Sequence, residues 1–131
     1  MAGKYRAGNV SLLQGSVTQM PLASGSVDGL LCLSVLEHLP PAKELRNAAE
    51  EIHRALAPRG VAVLGFPVKN KYTRVLLRVA GVEEDEVHPA SHRQIAEAFA
   101  SGGFQVEAVH RFPRALPLDL GMYNVLQLRR V

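Results

Sequence analysis

The stretch "VDGLLCLSVLEHLPPAKELRNAAEEIHRALAPRGVAVLGFP", Val27 to Pro67, decides the fold. From Val27 to Leu36 the chain is almost continuously apolar, broken only by small residues and one aspartate. Such a run belongs to a strand covered on both faces, as in a parallel sheet. Pro40 and Pro41 end the exit loop and are tolerated at a helix start. From Ala42 the apolar positions are Leu45, Ala48, Ala49, Ile52, Ala55 and Leu56, the stripe of a helix lying on a sheet. Its other face carries Lys43, Glu44, Arg46, Glu50 and Arg54, with Arg46–Glu50 and Glu50–Arg54 at the four-residue spacing of helical ion pairs. "APRG" turns the chain into "VAVLGFP", a second buried strand. The whole is one βαβ unit.

Upstream, Val10 to Leu13 is a short strand candidate ending at Gly15, and "VTQMPLASGSVDG" is a loop punctuated by Pro21 and Gly25. Downstream, "KYTRVLLRVAG" reads as an amphipathic helix. Tyr72, Val75, Leu76 and Val79 share one side, and Lys71, Arg74 and Arg78 form a solvated stripe on another. "EEDEVHPA" is an acidic loop. Ser91 with Gln94 forms a capping box for a further helix, whose apolar side is Ile95, Ala98 and Phe99 and whose end is Gly102–Gly103. "FQVEAV" alternates as a strand should, and "YNVLQL" is the last strand. No helix separates these two, so they are expected to be antiparallel neighbours. The order of elements argues an α/β fold with helices on the faces of a sheet.

A length of 131 residues bounds this to a single domain, and 47% hydrophobic with 21% charged residues is a globular composition. The formal charge of +3 is small and its arginines are scattered, which argues against a nucleic-acid footprint. Cys32 is the only cysteine, excluding an internal disulfide and fitting a reducing, cytoplasmic setting. The opening "MAGKYRAGNV" lacks the apolar core of a signal peptide, and no apolar run approaches the ~20 residues of a membrane span, so no membrane role is expected.

At this point the residues resemble a family. "GSVTQMPLASGSVDGLLCLSVLEHLPPAKELRNAAEEIHRALAPRGVAVLGFP" is similar to the second half of a class I S-adenosylmethionine-dependent methyltransferase of the type-11 kind. The carrying pieces are Gly15-Ser16, Met20-Pro21-Leu22, Val27-Asp28, Val35-Leu36-Glu37-His38 and Leu56-Ala57-Pro58-Arg59-Gly60, followed by Gly103-Phe104 in the closing region. The resemblance runs from about residue 9 to 131. It implies a partial Rossmann-like sheet, with parallel strands, helices on the faces and a C-terminal antiparallel pair. Residues 1–67 would hold the remaining cofactor-side strands and helix, and 68–131 the acceptor lid and closing strands.

The resemblance also implies roles. Gly15, Ser16 and Val17 match the loop flanking the adenine, with Ser16 where the family has an aspartate. A serine hydroxyl accepts the adenine amino group without charge and so more weakly; the competing reading is a plain turn. Ser34, Val35 and Leu36 would set backbone beside the methionine and sulfonium, Leu36 being otherwise simply core. Glu37 and His38 end the strand where an acceptor would meet the methyl group. His38 suits a general base near neutral pH, or it caps backbone before Pro40. Tyr72, His88 and His92 lie where the family builds its acceptor lid. The spacing of His88 and His92 invites a metal reading, but Pro89 and the Ser91 cap between them argue against one.

The family's glycine-rich turn, Glu/Asp-x-Gly-x-Gly after a first strand, has no counterpart here: Gly3 and Gly8 are too far apart, and "ASGSVDG" precedes a strand instead of following one. Two readings follow. One is methyl transfer from S-adenosylmethionine to a small-molecule acceptor, with this chain covering the C-terminal half of the catalytic domain. The other is a non-catalytic methyltransferase-fold module. A nicotinamide-dependent enzyme is excluded for want of G-x-G-x-x-G. The strand at Val10 would stand beside an empty slot, so either the sheet closes up against Val27–Leu36 or an edge stays open, and an open edge invites homodimerisation.

Overall fold

The computed structural model describes residues 5–82, 89–115 and 121–131. The acidic loop Glu83 to Glu86, with His88, lies outside the described residues. In chain order the elements are β1 (Tyr5–Ala7), β2 (Val10–Leu12), β3 (Val27–Leu33), a 3-10 turn (Leu36–His38), α1 (Lys43–Ala55), β4 (Leu56–Pro67), α2 (Lys71–Val79), α3 (His92–Ala100), β5 (Phe104–Phe112) and β6 (Tyr123–Arg130). The main sheet has four strands in the order β3-β4-β6-β5. β3 and β4 are parallel, and β6 runs antiparallel to both β4 and β5. The α/β class, the βαβ unit and the antiparallel closing pair are as the sequence predicts.

The helix in the unit forms for the reason its spacing gives. Leu45, Ala48, Ala49, Ile52 and Ala55 are all buried, and the first four join one core with Leu64, Phe66, Leu126 and Leu128 of the sheet and Ile95 and Phe99 of α3. Both caps of α3 are in place: Gln94 N donates to Ser91 Oγ at 3.3 Å, and Ser91 N donates to Gln94 Oε1 at 2.9 Å. α2 carries an equivalent box, unread in the sequence, from Asn70 and Thr73.

Four expectations are corrected. The strand at Val10 joins neither the main sheet nor β3. It pairs with Tyr5–Ala7 in a separate hairpin, whose two-residue turn places Gly8 at φ 61. β3 is therefore an edge and is not covered on both faces. Cys32 is buried against the helices, but Leu31 is 67% and Leu33 47% exposed, because α1 and α3 pack in one core on one face only. The ion pair on α1 is not Glu50–Arg54. Arg54 reaches Glu51, three residues back, at 2.7 Å. Finally, β5 does not alternate strictly. A bulge between Val106 and Ala108 lets Val106 pair with Leu128 and Val109 with Leu126, so both valines face the helix side. The helix α2 forms as predicted, yet none of its residues is buried: Tyr72, Val75, Leu76 and Val79 are all exposed.

Candidate functional site

In open α/β sheets ligands sit beyond the carboxyl ends of the parallel strands. At that end of β3 and along its open edge lies a cleft of about 490 Å3, and its lining includes Gly15, Ser16, Val17, Leu22, Leu33 and Val35. Two of the segments singled out in the sequence, Gly15–Val17 and the turn after β3 through Val35, thus share one cavity although Val35 lies eighteen or more positions from each of those three residues.

The loop forming one wall is held by α1. Met20 N donates to Glu51 Oε1 at 2.7 Å, and Arg54 grips the same carboxylate through Nε (2.8 Å) and Nη2 (2.7 Å) while also reaching Met20 O and Ser24 Oγ. Arg54's guanidinium holds the Glu51 carboxyl below the ordinary carboxylate range. Gly15 is glycine for a packing reason: a Cβ there would lie 2.5 Å from Pro21 Cδ. Ser16 accepts from Thr18 N at 3.2 Å and shares a 2.8 Å hydrogen bond with the Thr18 hydroxyl, closing its own turn.

The other wall turns at Ser34, which sits at φ 54, a left-handed conformation unusual for a residue with a Cβ. Two contacts hold it. Ser34 N donates to Gly65 O at 2.8 Å, and Ser34 Oγ lies 2.9 Å from the Tyr123 hydroxyl. Val35 is partly exposed at the cleft, while the Leu36 side chain is wholly buried in the core, leaving only its backbone for a ligand.

Glu37 and His38 diverge. Glu37 is buried, its main-chain oxygen accepts from Ala90 N, and its Oε2 has no hydrogen-bond partner among the described residues. His38 is half exposed, with Nε2 3.7 Å from Glu37 Oε1. His92 is buried, and its Nδ1 accepts from Lys69 N at 3.2 Å, so that nitrogen joins the end of β4 to the start of α3. Tyr72 is exposed on α2 with Lys71 Nζ over its ring. Neither residue lines the cleft. Among the described residues, no group of three or more His, Cys, Asp or Glu could hold a metal ion, and no helix is long and apolar enough to cross a membrane.

Tyr123, Glu51 and Arg54 were missed as site-shaping residues. Their partners across the cleft lie 30 to 89 positions away, and single-sequence periodicity carries no trace of such contacts.

The fold matches a SAM-dependent methyltransferase from Thermotoga maritima, described as a possible histamine N-methyltransferase, at 16% identity and TM-score 0.70, over 91% of this chain and 63% of that one. It also matches a SAM-dependent methyltransferase from Methanosarcina mazei at 13% identity and TM-score 0.66, over 89% of this chain and 65% of that one. Residues 2–64 match the family model described as "Methyltransferase domain". The chain shares the fold of these methyltransferases, and the family model covers 63 of its 131 residues. A further structure with the methyltransferase fold, magnesium protoporphyrin IX methyltransferase from Synechocystis PCC 6803 with bound SAH, matches at 20% identity and TM-score 0.57, over 91% of this chain and 50% of that one. The chain thus spans less than two thirds of the length of each of these three proteins. No curated protein matches it in sequence. Two of these neighbours are described as SAM-dependent, and the third holds bound SAH.

Proposed function

We propose that this chain serves S-adenosylmethionine-dependent methyl transfer to a small-molecule acceptor, contributing one wall of the donor site and the acceptor side. The observation carrying this reading is the cleft shared by Gly15–Val17 and the end of β3, which supports the roles that the family resemblance gives those residues. Its lining is mainly apolar, suited to an adenine edge along Gly15 to Val17 and the methionine portion of the donor near Val35. Among the described residues no carboxylate lines it, so a ribose diol would find no acidic partner among them in this wall.

The bound donor supplies a methyl group on a sulfonium: the carbon–sulfur bond breaks as a bond to the acceptor nucleophile forms, in line. This chain's part is alignment and exclusion of water. The strained turn at Ser34, held by Gly65 and Tyr123, fixes the backbone at the rim. His38, half exposed, takes the proton of an acceptor that arrives protonated, with Glu37 beside it. Tyr72, His88 and His92 remain the candidates for contact with the acceptor; of these, the exposed face of α2 supports Tyr72 most directly.

The alternative, a non-catalytic module, draws on the missing carboxylate and the absent glycine-rich turn. The open edge of β3, with Leu31 and Leu33 exposed, supports self-association of two copies. The single, buried Cys32 fits a cytoplasmic setting.

Ultraviolet crosslinking of methyl-labelled S-adenosylmethionine followed by peptide mapping tests the proposal. Label in peptides spanning residues 13–22 and 30–38, competed away by excess S-adenosylhomocysteine, is expected. Label elsewhere, or label that excess competitor leaves in place, contradicts it and favours the non-catalytic reading.

A further inference from the structure

A second cavity lies at the opposite end of the sheet from the β3 cleft, between α3 and strands β5 and β6. It encloses about 280 Å3, and its walls include Phe66, Val106, Val109, Leu126 and Leu128. The bulge in β5 builds it: strict alternation would turn either Val106 or Val109 to the other face, and the extra residue keeps both on this one. The lining is mainly apolar, with His92, Arg93 and Asn124 as its polar residues. Asn124 is only 3% exposed, and its Oδ1 is buried with no hydrogen-bond partner among the described residues. Leaving a buried amide oxygen unpaired is costly, and a donor brought by a ligand would remove that cost.

We propose that this cavity is a binding site for a small, flat, mostly apolar molecule carrying one N–H or O–H donor, which Asn124 Oδ1 accepts. Size and polarity set the class. A cavity of about 150 Å3 lined by apolar side chains takes benzene, so this one has room for a fused two-ring heterocycle. The Asn124 amide oxygen admits one donor. The site is separate from the donor cleft: strands β4 and β6 lie between the β3 edge and β5, and no described residue lines both cavities. The inference therefore stands independently of methyl transfer.

The test uses the whole chain and indole as the probe, with benzofuran as the same shape lacking the N–H. Methyl resonances of Val106, Val109, Leu126 and Leu128 should shift on adding indole, and benzofuran should bind about tenfold more weakly, the worth of one hydrogen bond to an otherwise unpaired buried acceptor. Asn124→Leu should bring the two affinities together. Should that variant fail to fold, Ala96→Trp, a change at an exposed α3 position lining the cavity, should abolish binding of both. Equal affinity of wild type for both probes, no shift at these methyls, or displacement of indole by S-adenosylhomocysteine would each overturn the proposal.

Discussion

The Ser34 hydroxyl and the Tyr123 hydroxyl, 89 residues apart in sequence, lie 2.9 Å from one another at the top of the sheet. This contact ties the turn after β3 to the first residue of β6, and the ring of Tyr123 packs where a side chain on Gly65 would stand. A Cβ at Gly65 would come within 2.7 Å of the Tyr123 hydroxyl and 2.6 Å of Leu33 Cδ2. Tyr123→Phe removes only the hydrogen bond and should cost about 0.5–1.5 kcal/mol in urea unfolding. Gly65→Ala forces the ring and Leu33 aside, an overpacking cost of about 1–3 kcal/mol. If Gly65→Ala proved the milder of the two, the packing at this corner would be misassigned.

Glu51 anchors the cleft loop through Met20 N while Arg54 holds its carboxyl pKa below the ordinary value of 4.5. A depressed carboxyl pKa contributes stability that is present above the unfolded value and is lost as pH falls through the folded one. Glu51→Gln should therefore lower stability at pH 7, by on the order of 1 kcal/mol, and flatten the loss that wild type shows below about pH 4.5. Parallel acid-denaturation curves for the two proteins would contradict the assignment.

Burial, and secondarily the negative charge of Glu37, pushes the Cys32 thiol from its ordinary 9.0 up to about 11. The folded state disfavours the thiolate, so this group's contribution is intact below pH 9 and declines as pH rises from 9 toward 11. Iodoacetamide at pH 8 should label Cys32 far more slowly in the folded protein than in urea. Comparable rates would show that the strand does not bury this residue.

How far the sequence could be read follows from the range of each interaction. α1 was legible because five buried positions repeat at helical spacing, and α3 because its cap lies within four residues. The fate of Val10–Leu12 was not legible: a short apolar run pairs equally well with a sheet edge or with its own hairpin, and Gly8 at a two-residue turn decides for the hairpin. The exposure of Leu31 and Leu33 was hidden because an apolar run states what a strand could bury and not what lies against it. Gly15, Ser16, Val17 and Val35 were found through family resemblance and share one cleft. His92 was found the same way and is buried in a contact with Lys69.

The open edge of β3 predicts self-association. Size-exclusion chromatography with light scattering should show a concentration-dependent dimer, and Leu31→Lys with Leu33→Lys should return it to monomer without loss of helical signal, since both side chains are exposed. By contrast Phe99→Ala, a fully buried core residue, should cost about 3–5 kcal/mol. A wild-type monomer at high concentration would remove the edge from the account.

The most direct measurement is an amide-resolved nuclear magnetic resonance titration of this chain with S-adenosylhomocysteine. With a single wall of the donor site, binding should be weak, on the order of 1 mM, about −4 kcal/mol. Shifts should be confined to Gly15, Ser16, Val17, Ser34, Val35 and their neighbours. Shifts clustered on β5 and β6, or none at all, would contradict the assignment of the cleft, and micromolar affinity would show that this chain encloses the donor by itself.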